Sequence, residues 1–168
     1  MRVATVAETT QVLGVLDDAA ARLRARAIRQ WPQAFQPSWV LPDIEAGRTW
    51  LAWRGHVPIA TVTIGWSDPL WPDDDLAGYV HRLARTGAAP GVGEWLLAWA
   101  DEQVCARDRR CLRLDCVASN AALRAYYTSR GFRHHGDATV SGPPGGRNAG
   151  GAKTVVSRYE RNAVRRHE

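Results

Sequence analysis

The chain has 168 residues, 45% of them apolar and 23% charged, a globular composition that excludes a disordered or fibrous chain and fits one domain. No apolar run approaches the ~18 residues that span a bilayer, and the opening MRVATVAETTQ lacks the apolar stretch of a secretory signal, so neither a membrane span nor a cleaved leader is expected. The formal charge is +5, and all of the cations but Lys153 are Arg, a balance that suits anionic ligands without choosing among them.

Arg2 to Ala7 reads as a short strand, and Val12, Leu16, Ala19, Ala20, Leu23 and Ala27 recur at helical spacing, which predicts an amphipathic helix over Glu8 to Arg29. A proline-broken stretch follows, with a short helix expected near Ser38 to Ala46 and Ser38 as its N-cap. Thr49 to Trp53 and Val57 to Trp66 read as strands around a turn at Arg54-Gly55. Ser67 to Asp75 is a loop by its Pro and Asp content, and Gly78 to Arg85 a strand. Gly91 to Arg107 places Val92, Trp95, Leu96, Trp99, Ala100 and Val104 on one helical stripe. Cys111 to Val117 is a strand, and Ser119 to Arg130 a helix ended by Gly131. Phe132 to Val140 and Lys153 to Glu160 read as final strands around a Gly-rich loop at 141–152, expected to be flexible. A basic tail at about 161–168 closes the chain. The order β-α-α-β-β-β-α-β-α-β-β predicts an α/β fold, a mixed central sheet of about six to seven strands with helices on both faces.

Cys105, Cys111 and Cys116 have no CxxC spacing, which argues against a disulfide framework or a thiolate zinc site and points to a cytoplasmic setting. His134 and His135 lack a third ligand at useful spacing, so no metal site is expected. The segment LARTGAAPGVGEW runs from a strand into a glycine-bearing turn that opens a helix. Unpaired N–H groups and the helix dipole make such a start an anion site, and glycines let a pyrophosphate approach the backbone; a plain strand-to-helix turn would carry the same residues.

Two motifs in this region carry a resemblance. Ala88-Ala89-Pro90-Gly91-Val92-Gly93 matches the Q/R-x-x-G-x-G/A pyrophosphate loop of GNAT-type N-acetyltransferases, with Ala88 at the Gln/Arg position. Asn120 to Phe132 matches the last helix of their core, with Tyr127 at its tyrosine. Residues 76–133 resemble that core, a CoA-binding β-α-β-α unit, and the flanking order of elements agrees. The resemblance implies acetyl-CoA as cofactor, its pantetheine arm pairing with Leu83, Ala84 and Arg85 between two splayed parallel strands. It implies pyrophosphate binding by the backbones of Gly91, Val92, Gly93 and Glu94, a cofactor contact or helix cap at Asn120, and Tyr127 as general acid. The stretch Tyr79 to Ala84 is similar to arylalkylamine N-acetyltransferases, which carry histidines on this strand; His81 stands at the second such position and Tyr79 at the first.

An imidazole of pKa near ~6.5 suits removal of a proton from an amine, and alternation puts His81 on the side of Leu83, which makes His81 the expected base. Asp73, Asp74 and Asp75 are rival partners for a substrate ammonium. Trp31, Phe35, Trp39 and Trp71 fall in the segments expected to wall the acceptor pocket, where indoles hold cations and exclude water. The expected function is acetyl transfer from acetyl-CoA to a primary amine of a small molecule, directly within a ternary complex. A protein N-terminus or lysine as acceptor and a catalytically silent CoA-binding module are the alternatives. Arginines that cluster only near the C-terminus argue against a nucleic-acid partner; a homodimer is compatible with the sequence.

Overall fold

The computed structural model describes residues 1–72, 76–142 and 153–165. Seven strands form one mixed sheet in the order β1-β2-β3-β4-β5-β7-β6: β1 (Arg2–Val3), β2 (Thr49–Arg54), β3 (Val57–Gly65), β4 (Ala77–Arg85), β5 (Cys111–Val117), β6 (Arg133–Ser141) and β7 (Lys153–Asn162). Only β4 and β5 pair parallel; the remaining neighbours are antiparallel. The crossover that parallel strands require is α3 (Val92–Cys105).

Alternation along β3 sorts the sheet into two faces. Ala60, Val62 and Ile64 join Leu112, Leu114 and Cys116 of β5 in a core covered by α3 and α4 (Ala121–Ser129), represented by Leu96, Leu97 and Tyr127. The opposite face is covered by α1 (Thr9–Ala25) and α2 (Pro37–Glu45), whose Val12, Leu16, Ala19, Val40 and Ile44 pack over Leu51 and Ala84.

Several expected boundaries move. The first strand stops at Val3, because the chain turns into a 3-10 segment at Val6–Glu8. Helix α1 stops at Ala25, short of Ala27, whose φ is +57°. Gln36, not Ser38, caps α2, since Pro37 with its fixed φ is preorganised for the first helical turn. In α3 Trp95 is exposed, while Leu97 and Asp101 are buried. Asp101 is carried inward by an ion pair with Arg161 at 2.7 Å. Strand β7 runs to Asn162, so Arg161 belongs to it rather than to a basic tail; residues 166–168 and 143–152 lie outside the described part.

Gly78 allows α3 to lie close on β4. A Cβ there would stand 2.5 Å from Val104 Cγ2 and 3.1 Å from Trp66 Cζ3. Val104 is fully buried and branched at Cβ, so it cannot swing aside. Gly78→Ala is therefore expected to destabilise the fold by about 1–3 kcal/mol, read as a lower denaturation midpoint. An unchanged midpoint would mean that the contact between helix and strand is looser than described.

Candidate active site

The parallel pair β4–β5 is short. Its register runs from Ala77 opposite Cys111 to Val80 opposite Leu114, and then the strands part. The cause lies in β4. Thr63 pairs with His81 and Thr61 with Ala84, so Arg82 and Leu83 together stand opposite Val62. Arg82 is left-handed at φ +49°. This is a β-bulge, which bends and twists the strand that bears it. A left-handed arginine is strained by about 1–3 kcal/mol unless its surroundings hold it. Here the Arg82 guanidinium donates to Asp43 Oδ2 of α2 at 2.7 Å. Asp43 also accepts from Arg48 at 2.9 Å. Burial works to raise the Asp43 carboxyl, but the Arg82 and Arg48 hydrogen bonds outweigh it and hold its pKa below the usual range.

The bulge corrects the expected facing of β4. His81 does not share a side with Leu83. Leu83 packs against the core under α3 and α4, whereas Ala84 lies in the core under α1 and α2. His81, opposite Thr63, faces the same way as Ala84.

Between the parted strands runs a cleft of about 950 Å³ with contributions from both faces of the sheet. Leu83, Ala84, Arg85, Gly91, Gly93, Glu94, Asn120 and Tyr127 line it, together with His81 and Trp31. Val92 does not. Phe35, Trp39, Trp71 and Tyr79 do not line it either. Phe35 and Trp39 pack with Trp31 into the core under α1 and α2, and Trp71 and Tyr79 are buried in a separate cluster. There Arg113 donates to the Tyr79 hydroxyl at 3.0 Å and lies over the Trp71 ring at 4.3 Å. Asp73, Asp74 and Asp75 lie outside the described residues.

Where the cleft meets the start of α3, Gly91 caps the helix at φ +79°, a conformation that glycine adopts without strain. The first N–H groups of α3 lack the i−4 acceptors of a helix interior and carry the positive end of the helix dipole; that of Glu94 donates to the Gly91 carbonyl at 3.2 Å. A Cβ on Gly93 would stand 3.4 Å from the Tyr126 hydroxyl, so the glycine keeps a backbone cradle open that any side chain would begin to fill. Arg130 lies over Tyr126 at 5.2 Å and pairs with Glu94 at 2.8 Å, which places a guanidinium beside the cradle. These residues suit a phosphate group. The open edge of β4 beyond Val80 suits an extended chain that adds as a strand.

Asn120 is the N-cap of α4, its side chain accepting from Leu123 N at 3.1 Å. Its amide donates to Gln30 Oε1 at 3.0 Å, and Val117 N donates to the same oxygen at 3.2 Å. Gln30, which the sequence did not single out, thus closes the free end of β5 and lines the cleft. Tyr126 lines it as well.

Tyr127 is 7% exposed, with its ring against Tyr126, Phe132 and Tyr159 at centroid distances of 5.7, 5.7 and 5.8 Å. Burial first, then the nearby Cys116 and Asp115, push its pKa far above the ordinary phenol range. The hydroxyl therefore keeps its proton and acts as a donor. Cys116, on β5 behind it, is pushed up to about 12, chiefly by burial. At neutral pH it is a thiol and no nucleophile.

Across the cleft, His81 Nε2 stands 3.5 Å from Asp68 Oδ2. A carboxylate oxygen each of Asp68 and Asp115 and a ring nitrogen of His81 lie within 4.8 Å of one another. The sequence reading found no such set, because the three residues come from the loop after β3, from β4 and from β5.

No family model matches the chain. The uncharacterized N-acetyltransferase YesJ of Bacillus subtilis (strain 168) is 30% identical to it over 141 residues, spanning 77% of this chain and 78% of that protein. Among solved structures, a GNAT-family acetyltransferase from Listeria monocytogenes superposes with a TM-score of 0.70 at 20% identity, over 96% of this chain and 92% of that one. The ribosomal-protein-alanine N-acetyltransferase of Brucella melitensis gives 0.65 at 22% identity, over 96% and 98%. YncA of Salmonella typhimurium, solved with acetyl-CoA, gives 0.66 at 14%, over 99% and 95%. These three likenesses show a shared fold across nearly the whole chain. The chain belongs to the GNAT superfamily of N-acetyltransferases. Acetyl-CoA is the donor that membership brings with it. Among the described residues, no helix is long and apolar enough to cross a membrane.

Proposed function

We propose that this enzyme transfers an acetyl group directly to the primary amine of a small molecule, with both substrates bound together. One observation carries the reading: a single cleft is lined by Tyr127 from α4 and by His81 from the opposite face of the sheet. When bound, acetyl-CoA supplies the thioester carbonyl. The backbone of Gly91 to Glu94 holds its phosphates and the β4 edge from Leu83 to Arg85 holds its arm. His81 takes a proton from the incoming ammonium, which frees the nitrogen lone pair for attack. Tyr127 gives its proton to the departing sulfur. Cys116, held as a neutral thiol, offers no covalent way-station, which favours direct transfer.

The acceptor end favours a cation. Asp68 and Asp115 line the cleft with the indole of Trp31, while Asp43 is offset by Arg48 and Arg82. Carboxylates and indole faces both attract an ammonium. The test is release of thiol from acetyl-CoA across a panel of small amines and of peptides with free N-termini or lysines. The reading expects turnover on small primary amines, with kcat/KM at least about 10-fold above any peptide, a difference of about 1.4 kcal/mol in transition-state binding. A peptide as the best acceptor would overturn the choice of substrate class.

A further inference from the structure

The described part of the loop after β3, residues 66–72, is built around the carboxylate of Asp68. Asp68 Oδ1 accepts the Leu70 N–H at 2.8 Å, and its carbonyl accepts the Trp71 N–H at 3.0 Å. Trp71, 7% exposed, is held by the guanidinium groups of Arg113 and Arg158, at 4.3 and 5.2 Å from its ring. Arg158 also donates to the Leu70 carbonyl at 2.7 Å. The aromatic residue expected to wall the substrate pocket is thus the anchor of the loop. The loop holds Asp68, 4% exposed, with Oδ2 3.5 Å from His81 Nε2. Burying a carboxylate is costly unless a partner repays the lost hydration. Here the partner is the imidazole, while the second oxygen is spent on the loop's own backbone.

We infer that Asp68 is the positioning residue of His81: it holds the imidazole by Nε2, turns it toward the acceptor end of the cleft and stabilises the imidazolium formed when the amine gives up its proton. The inference rests on the reading of His81 as the base. A proton fixed on Nε2 leaves the lone pair on Nδ1, which becomes the basic atom. As the amine N–H bond breaks, its proton passes to Nδ1, and the new positive charge draws the pair into a charge-assisted hydrogen bond with Asp68. Among the described residues, other charged groups about this end include Asp115 on β5, Arg82 next in β4, and Asp43 with Arg48 behind Arg82. Asp115 stands just past the last β4–β5 pair and is the rival for the same role.

The test compares wild type with Asp68→Asn, Asp115→Asn and His81→Ala, following the His81 imidazole by NMR through a pH titration of the free enzyme. Its resonance is assigned by its absence in His81→Ala. Loss of the anion at 68 should lower the titration midpoint by about one pH unit. The rising limb of kcat/KM against pH should move down by the same amount, and kcat should fall at least about 10-fold with KM for acetyl-CoA unchanged. Asn keeps an oxygen for the Leu70 N–H, so the loop should survive. Should Asp68→Asn fail to fold, the nitrogen shifts of wild-type His81 decide: a neutral form protonated on Nε2 supports the pairing, and one protonated on Nδ1 overturns it. A midpoint unmoved in Asp68→Asn, or moved only in Asp115→Asn, also overturns it. If His81→Ala keeps the pH limb, the base reading itself fails; if that limb is lost but stays in place in Asp68→Asn, only the pairing fails.

Discussion

Replacing Tyr127 by Phe is expected to lower kcat roughly 10–1000-fold and to leave KM for acetyl-CoA within about twofold. The substitution removes one oxygen and nothing else. The ring stays against Phe132, Tyr126 and Tyr159, so the fold and the cleft wall are kept. The affected step is protonation of the leaving sulfur. Because burial raises the Tyr127 hydroxyl well above the ordinary phenol range, it remains protonated throughout the assay range, and the loss should be nearly independent of pH between 6 and 9, roughly the span below an unperturbed phenol. That flatness separates it from His81, whose removal should abolish the rising limb. An unchanged kcat would return Tyr127 to a packing role.

The second large effect is expected at the start of α3. Gly93→Val should weaken CoA binding about 10–100-fold, or about 1.4–2.8 kcal/mol, measured by calorimetry. Already at Cβ the new side chain stands 3.4 Å from the Tyr126 hydroxyl, and its methyl groups must enter the space where a phosphate would meet the backbone. Gly91→Val should do the same with an added penalty in stability, since its φ of +79° strains a branched side chain. Gly93 is therefore the cleaner probe. Wild-type affinity in both variants would move the phosphate site elsewhere.

What was legible in the sequence was local. The glycine start of α3, the Asn120 cap and Tyr127 on α4 are set by residues within a turn of one another, and these lie where the motifs put them. The order of elements along the chain followed from the spacing of apolar runs. The geometry that governs acceptor chemistry was not legible, since it depends on pairings distant in sequence. The β4 bulge puts an arginine in a left-handed conformation that nothing in GYVHRLAR favours; Asp43 holds it there from α2, 39 residues earlier. That one extra residue separates His81 from the face of Leu83 and defeats strict alternation. Asp101 looks like a surface residue of α3 until Arg161 arrives, 60 residues later. Trp71 reads as a pocket wall because aromatic residues serve both uses; Arg113 and Arg158, from β5 and β7, turn it into packing. The same arginines fix the loop that carries Asp68, a residue that stands in no motif and is brought to His81 only by the fold.

The central claim is that donor and acceptor meet in the split between β4 and β5. A crystal structure of the enzyme with CoA tests it most directly. The account predicts the arm of CoA lying along Leu83 to Arg85 between the parted strands, the pyrophosphate on the backbone of Gly91 to Glu94, and the sulfur within about 3–4 Å of the Tyr127 hydroxyl. CoA bound outside the split, or a sulfur beyond the reach of Tyr127, would contradict it.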